Sequence, residues 1–373
     1  MWPERISRAL AIPDLSDPQN GTHAVNLVVS EMAAYFQAKG WPVPEIRRSS
    51  PISSVTDNFD RLHFPADAIC RSPIYTRYID DVQILRVHTS AMIPDLLVGM
   101  RERDLTDYLV MSPGMCYRRD VVDKTHCGEP HQMDVWRIKQ GAPRLERESL
   151  LELIDAVIRS ILPNAEYVVQ DAIHPYTING LEVGVRTPDG DILEVLECGE
   201  AHPQILAEAG LDPSKCSGLA LGVGLDRMVM LRKNIPDIRI LRASDPRIAK
   251  QMVNLDPYVS VSKFPAINRD MSVSIPAEAQ EEDICEAVKD AMGPDIDMLE
   301  EVQIRSATAY DDLPPQAIER LGIHSNQKNV LVRIVLRSHE RSLTHEEANT
   351  IRDRVHLAID HGDMGYVRKV VIA

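Results

Sequence analysis

No stretch of this 373-residue chain stays apolar for long enough to cross a membrane. No two of its six cysteines (Cys70, Cys116, Cys127, Cys198, Cys216 and Cys285) stand in a Cys-x-x-Cys pair. Scattered cysteines argue against a disulfide framework and for reduced thiols in a cytosol-like compartment, so a cytoplasmic location is expected. A basic excess is missing too: 41 Lys and Arg stand against 56 Asp and Glu, a formal charge of −15. Any contact with nucleic acid must therefore use a local patch rather than the whole surface. The segment Met1–Arg8 has no apolar core, and acidic residues follow soon after, so neither a secretory signal nor a transit peptide is expected. His126, Cys127 and His131 crowd together, but their spacing fits no common zinc pattern. No internal repeat or low-complexity segment is visible.

What is present is a chain long enough for one large domain and a smaller one, with an ordinary globular composition of 44% hydrophobic and 26% charged residues. Residues 22–40 read as an amphipathic helix ending at Gly40. A second helix is expected from a Ser149/Glu152 capping box, followed by Leu150, Leu153, Ile154, Val157, Ile158 and Ile161 at helical spacing. Strand-like runs lie at 82–88, 114–122, 131–138, 181–186 and 192–198, the last two flanking the turn Pro188-Asp189-Gly190-Asp191. Hairpin-linked strands imply a largely antiparallel sheet with helices packed on it. Asp245-Pro246 and Asp256-Pro257 break the pattern between two periodic regions. Beyond them the expected order is strand 267–275, helix 281–292, strand 297–308, strand 329–338, helix 345–360 with a Thr344/Glu347 capping box, and strand 366–372. That β-α-β-β-α-β order suggests a ferredoxin-like fold. The fold class is thus α+β, divided into 1–245, a linker 246–262, and 263–373.

The most specific stretch runs from Ser217 through Ala220, Gly222 and Gly224 to Arg227. It reads as an apolar strand passing into a helix, and glycines at such a junction let a ligand approach the backbone. A guanidinium beside them can hold phosphate through paired hydrogen bonds. A matching arginine, Arg118, lies upstream in Met115-Cys-Tyr-Arg-Arg-Asp120, ahead of a polar loop and His131-Gln132-Met133-Asp134. Glu194, on a further strand, has the chemistry to hold a divalent cation beside nucleotide phosphates. Each residue also has a plainer reading: a tight strand–helix turn, a surface ion pair for Arg118, an exposed strand position for Glu194.

Together and in this order, the residues resemble the class II aminoacyl-tRNA synthetases, specifically the catalytic subunit of the phenylalanyl-tRNA synthetases. Asp57-Asn58-Phe59-Asp60 through Pro65, with Arg71, is similar to the family's first motif, and His88-Thr89-Ser90 to its His-Thr-Ser element. Tyr117-Arg118-Arg119-Asp120 through Gln132-Met133-Asp134 resembles motif 2 with its Gln-x-Glu continuation. Glu194 through Cys198-Gly199 and His202-Pro203 resembles the next strand, and the glycine-bracketed run continuing to Ile235–Arg239 resembles motif 3. The region from Lys263-Phe264-Pro265 to Arg341–Thr344 is similar to a ferredoxin-fold anticodon-binding domain. A core fused directly to that domain looks like the single-chain, mitochondrial-type organisation.

The resemblance implies attack of an amino-acid carboxylate on the ATP α-phosphate, then transfer of the acyl group to a tRNA ribose. In that reading Arg118 and Arg227 carry the catalysis. Arg118, Glu194, Gly222, Gly224 and Arg227 bind ATP, and Glu194 ligates Mg²⁺. His88, Ser90, Asp120, Gln132, Asp134, His174, Tyr176, Gly199 and Ala220 bind the amino acid. The implied partners are phenylalanine first and tRNA, with neither membrane nor DNA among them.

Several residues depart from the family's pattern. His174-Pro175-Tyr176 stands where the family has Phe-Pro-Phe, Asp120 and Asp134 each replace a glutamate, Pro130 replaces an aromatic, and Glu197 replaces a glycine. A buried polar ring edge needs a hydrogen-bonding partner. Either the protein supplies those partners, or the substrate side chain is itself polar. The 13 basic residues of 261–373 face 20 acidic ones, a net of −7, yet Lys263, Arg269, Arg333, Arg337, Arg341, Arg352 and Arg354 could form one face. The alternatives are a paralogue that activates another aromatic or polar amino acid for a non-tRNA acceptor, and a catalytically silent synthetase-like binding protein.

Overall fold

The computed structural model describes residues 2–363, apart from 102, 104, 105, 122, 188, 262 and 263. The strand expected at 366–372, and the individual positions Pro188 and Lys263, lie outside the described residues. The chain forms two compact units: Met1–Arg118 with Glu129–Ile238 and Gln251–Tyr258, and Arg119–Gly128 with Arg239–Lys250 and Val259–Ala373.

The first unit contains α1 (Trp2–Leu10), α2 (Ala24–Ala38), β1 (Glu45–Ile46), β2 (Ile52–Ser54), α3 (Val55–Asn58), β3 (Gln83–Leu85), α4 (Ile93–Val98), β4 (Asp107–Met115) and β5 (His131–Gln140). It continues through α5 (Arg147–Ile161), β6 (Tyr167–Asp171), β7 (Thr177–Arg186), β8 (Ile192–Ala201), α6 (Pro203–Glu208), β9 (Cys216–Gly224) and α7 (Leu225–Lys233). Its seven-stranded sheet has the order β1-β4-β5-β9-β8-β7-β6 and is antiparallel except for the β1–β4 pair. The mixed α+β class and antiparallel sheet follow the sequence reading.

Helix α2 begins where the His23 ring accepts the Val25 N–H and Asn26 returns a bond to the His23 backbone. Val25, Val28, Val29, Met32 and Phe36 make its buried stripe, which packs toward α5 and α7. The stripe expected in α5 is buried as well, from Leu150 to Ile161. Its start differs: the helix begins at Arg147 behind an N-cap Glu146 that makes no side-chain cap bond, so Ser149 sits inside the first turn rather than capping it.

A larger difference concerns the strand expected at 114–122. Strand β4 instead spans Asp107–Met115, and Pro113 is accommodated because β1 pairs only with Val110 and Met111. After Met115 the backbone changes partners, Tyr117 N–H bonding Arg86 O and Arg118 bridging Thr76. Arg118 therefore lies just beyond the strand, not on it. The hairpin between β7 and β8 is closed by Thr187 and Asp191, with Gly190 at φ +95° where a side chain would be strained.

The second unit holds α8 (Pro246–Ala249), β10 (Ile267–Pro276), α9 (Glu281–Met292), β11 (Leu299–Ala309), α10 (Pro315–Leu321), β12 (Gln327–Leu336) and α11 (His345–Ile359). Its antiparallel sheet runs β10-β12-β11, and α9 and α11 cover one face through Val273, Val288, Val332, Ile334, Ile351 and Val355. Thr344 and Glu347 form the expected capping box. Helix α10 is absent from the expected order, although Pro315 at its start and Gly322 at its left-handed end are the usual signals. The loop Arg119–Gly128 joins this unit through Arg119, whose guanidinium pairs with Glu286 and Asp283. The basic residues expected to share one face divide. Arg333 and Arg337 lie on the sheet face away from the core, paired with Asp270 and Glu300. Arg352 and Arg354 lie on α11, paired with Asp353 and Asp295.

Candidate active site

Directly opposed residues of antiparallel strands share a sheet face, so the register of β4, β5, β9 and β8 lays out the site in rows. Gln132 lies between Gly114 and Gly224. Asp134 opposes Gly222, which opposes Glu197. Trp136 opposes Ala220, which opposes Gly199. Glu194 would fall on the other face by simple alternation. However, β8 slips by one residue against β7, with Leu196 opposite Val183 but Glu194 opposite Gly184. That bulge re-aims Glu194 onto the face of Glu197.

At the Gly224 end, the residues expected to handle nucleotide come together. The Arg227 guanidinium, in the first turn of α7, donates to the Glu194 carbonyl at 2.9 Å and lies 3.5 Å from its carboxylate. Burial and the neighbouring Glu197 raise the Glu194 pKa, and Arg227 opposes them. Arg118 Nε donates to the Val87 carbonyl at 2.8 Å, which fixes the plane of its guanidinium. A Cβ placed on Gly222 would meet nothing nearer than Glu197 O at 3.9 Å, and one on Gly224 nothing nearer than Val195 O at 3.5 Å. The protein's own packing does not require glycine at either position. Gly199 is the opposite case, since its Cβ would lie 2.6 Å from Thr177 Cβ.

At the Ala220 end the site closes on itself. Asp134 is buried and accepts from Thr89 Oγ1 (2.7 Å), Ser90 Oγ (3.1 Å) and Trp136 Nε1 (3.0 Å). Burial pushes its carboxyl up to about 6 against those three donors. Tyr176 stacks on Trp136 at 6.3 Å between ring centroids and has Ser90 as the neighbour of its hydroxyl. Burial raises that phenol's pKa. His174 Nε2 lies 3.6 Å from Glu197 Oε2, and its Nδ1 lies 3.5 Å from Thr177 Oγ1. Gly180 makes room for the ring, because a Cβ there would fall 2.9 Å from His174 Nδ1. The polar edges of His174-Pro175-Tyr176 therefore lie beside protein groups, Glu197 and Thr177 for the imidazole and Ser90 for the phenol.

His88 stacks on Phe64 (5.3 Å) and receives the Asn58 amide on Nε2 at 3.4 Å. Burial, followed by the charge of Arg118, pushes its pKa down to about 3, so the ring is neutral. With Nε2 accepting, the proton sits on Nδ1, a buried donor without a hydrogen-bond partner. Gln132 accepts from the Cys116 thiol at 3.4 Å.

Asp120 is not brought into these rows: it belongs to the second unit, where it accepts the Val121 N–H. His131 faces the other side of β5, its Nδ1 bonded to Asp226 Oδ1 at 2.7 Å while Nε2 accepts the Leu15 N–H. Among the described residues no group of three or more His, Cys, Asp or Glu side chains is arranged to hold a metal. Sequence reasoning missed several parts of the site. Asn58 and Thr89 stand there only as motif letters, and Trp136 gives no signal. Buried Arg86 bonds Met115 O and lies where a Gly114 Cβ would be 2.1 Å from its Nη2. Glu197 is visible only as a departure.

Two domain families match in the order the geometry suggests. Residues 10–252 match the tRNA synthetases class II core domain (F), and residues 262–362 the ferredoxin-fold anticodon binding domain. The chain is similar to the chloroplastic/mitochondrial phenylalanine–tRNA ligase of Arabidopsis thaliana, with 32% identity over 89% of this chain and 75% of that protein. It is similar also to the phenylalanine–tRNA ligase alpha subunits of Glaesserella parasuis (29%, covering 65% of this chain and 71% of the relative) and Histophilus somni (31%, covering 66% and 72%). Among the described residues no helix is long and apolar enough to cross a membrane. The open glycine face flanked by two anchored arginines, the sheet that carries it and these matches agree: the chain belongs to the phenylalanine–tRNA ligase family of class II tRNA synthetases.

Proposed function

We propose that the chain activates phenylalanine with ATP and transfers it to tRNA. A carboxylate oxygen of phenylalanine attacks the α-phosphorus, the bond to the β-phosphate oxygen breaks, and pyrophosphate leaves. A terminal ribose hydroxyl of tRNA then attacks the acyl carbon and releases AMP. Neither step needs a protein nucleophile, so the residues act by positioning and charge. Arg118, held by Val87 O, bridges the α-phosphate and the substrate carboxylate, and Arg227, held by Glu194 O, takes the γ-phosphate end. Gly222 and Gly224 are the surface against which the nucleotide lies. Mg²⁺ would be held by Glu194 and would neutralise phosphate charge. A carboxylate whose pKa is raised by burial and a second acid is the kind of oxygen donor whose charge a cation restores.

The observation that carries this reading is the contrast between Gly222, where an added Cβ would come no nearer than 3.9 Å to its neighbours, and Arg118 and Arg227, each held by a main-chain carbonyl. Phenylalanine is favoured over a polar side chain because His174 and Tyr176 already lie beside Glu197 and Ser90. Residues 1–245 would then be the activating module, 246–262 the linker and 263–373 the tRNA-binding module. All six cysteines are free, which suits a reducing compartment. ATP–pyrophosphate exchange across the twenty amino acids, with and without tRNA, tests the proposal. Phenylalanine-dependent exchange with tRNA charging is expected. Exchange with a different amino acid and no charging would overturn it, and ligand binding without exchange would mark a silent relative.

A further inference from the structure

A substrate amino acid is a zwitterion, and a site that aims an arginine at its carboxylate needs an acceptor for its ammonium. Asp134, the aspartate within the rows, is poorly disposed to serve, since both its oxygens are engaged by Thr89, Ser90 and Trp136. One further carboxylate shares the row of Asp134 and Gly222: that of Glu197. We propose that Glu197, steadied by His174, accepts the substrate α-ammonium and is the principal amino-acid anchor of this chain. The assignment rests on the phenylalanine reading above and adds to it a residue outside the motif positions.

Three features converge on Glu197. Its side chain is 49% exposed, so it is reachable from the open side of the Gly222 face. One oxygen, Oε2, is oriented by His174 Nε2 at 3.6 Å, and His174, only 9% exposed, is seated in the space left by Gly180. The charge of Arg118 also acts on it, so anion and cation stand together as a zwitterion requires. Glu182 faces Glu197 from β7, Glu194 lies beside it on β8, and Asp134 lies across Gly222. Among these neighbours, the bond from His174 does most to hold the Glu197 pKa below its ordinary value. The carboxylate is therefore charged at neutral pH, where an amino acid carries its ammonium.

Equilibrium titration of the full chain with phenylalanine and with its des-amino analogue, 3-phenylpropanoate, tests the assignment. Wild type should prefer phenylalanine by about tenfold or more, the worth of one charge-assisted hydrogen bond. Glu197→Gln should erase that preference while leaving the affinity for 3-phenylpropanoate within about twofold, which no loss of fold could produce. His174→Phe should keep the preference at neutral pH but lose it at a higher pH than wild type on acidification, because Glu197 loses the bond that holds its pKa down. A preference retained in Glu197→Gln would overturn the assignment. A wild-type chain that binds neither compound would overturn it by a distinguishable route, through the phenylalanine reading itself.

Discussion

The two ends of the site on the first unit's sheet are built on opposite plans. At the Gly224 end, arginines are held by main-chain carbonyls, and a Cβ added to either glycine would meet its neighbours no closer than ordinary contact distance. At the Ala220 end, Asp134, Thr89, Ser90, Trp136 and Tyr176 engage one another, and Gly199 is a glycine because Thr177 presses against it. A binding end that awaits a charged ligand must keep its donors poised and its surface open. An end that selects an apolar ring must instead satisfy its own polar atoms first, or each becomes a penalty. The difference teaches that two glycines of one strand pair differ in kind: a Cβ on Gly222 would meet nothing nearer than 3.9 Å, whereas Gly199 makes room for Thr177.

The sharpest break in this contrast is expected from Arg118→Ala. Losing a preorganised cation at the reacting phosphate should lower pyrophosphate exchange by about 10³-fold without lowering the melting temperature. An unchanged exchange rate would remove Arg118 from the mechanism. Next in size is Gly114→Ala, in the Gly224 row but crowded by the protein itself, where the new methyl would meet the buried Arg86 guanidinium. Denaturant unfolding should register a loss of about 2–4 kcal/mol.

The buried carboxyl supplies a pH signature. Because burial raises the folded Asp134 value from 3.8 to about 6, its contribution to stability is fully present below pH 4. That contribution is lost as pH rises through 6, a difference of about 3 kcal/mol. Asp134→Asn should flatten the stability profile between pH 4 and 6, and a slope unaltered by the change would refute the assignment of that titration. The smallest effect belongs to Tyr176→Phe, which removes a hydroxyl beside Ser90 and should cost about 1 kcal/mol at most in a thermal or denaturant melt.

The open end is the more legible of the two in the sequence. Gly222, Gly224 and Arg227 stand within six residues, and a strand running into a helix determines their relation almost by itself. The same locality makes the Thr344/Glu347 cap and the helix after His23 readable. The closed end depends on partners far apart in the chain: Thr89 with Asp134, His174 with Glu197. Sequence alone flags His174, Tyr176 and Glu197 as departures, yet not that Glu197 and Ser90 are the groups that lie beside the other two. Strand β4 is misplaced by the sequence pattern for a related reason. The sequence pattern starts that strand at Gly114, whereas β4 ends at Met115, and β1 stops short of Pro113, which lets the proline sit within the strand.

The measurement that tests the central contrast most directly is a calorimetric titration of wild type, Gly222→Ala and Gly199→Ala with ATP and Mg²⁺, paired with their melting temperatures. Gly222→Ala is expected to melt with wild type but bind ATP about tenfold more weakly, whereas Gly199→Ala is expected to lose about 1–3 kcal/mol of stability. ATP bound by Gly222→Ala as tightly as by wild type would contradict the account, for the space above Gly222 would then not be the nucleotide's.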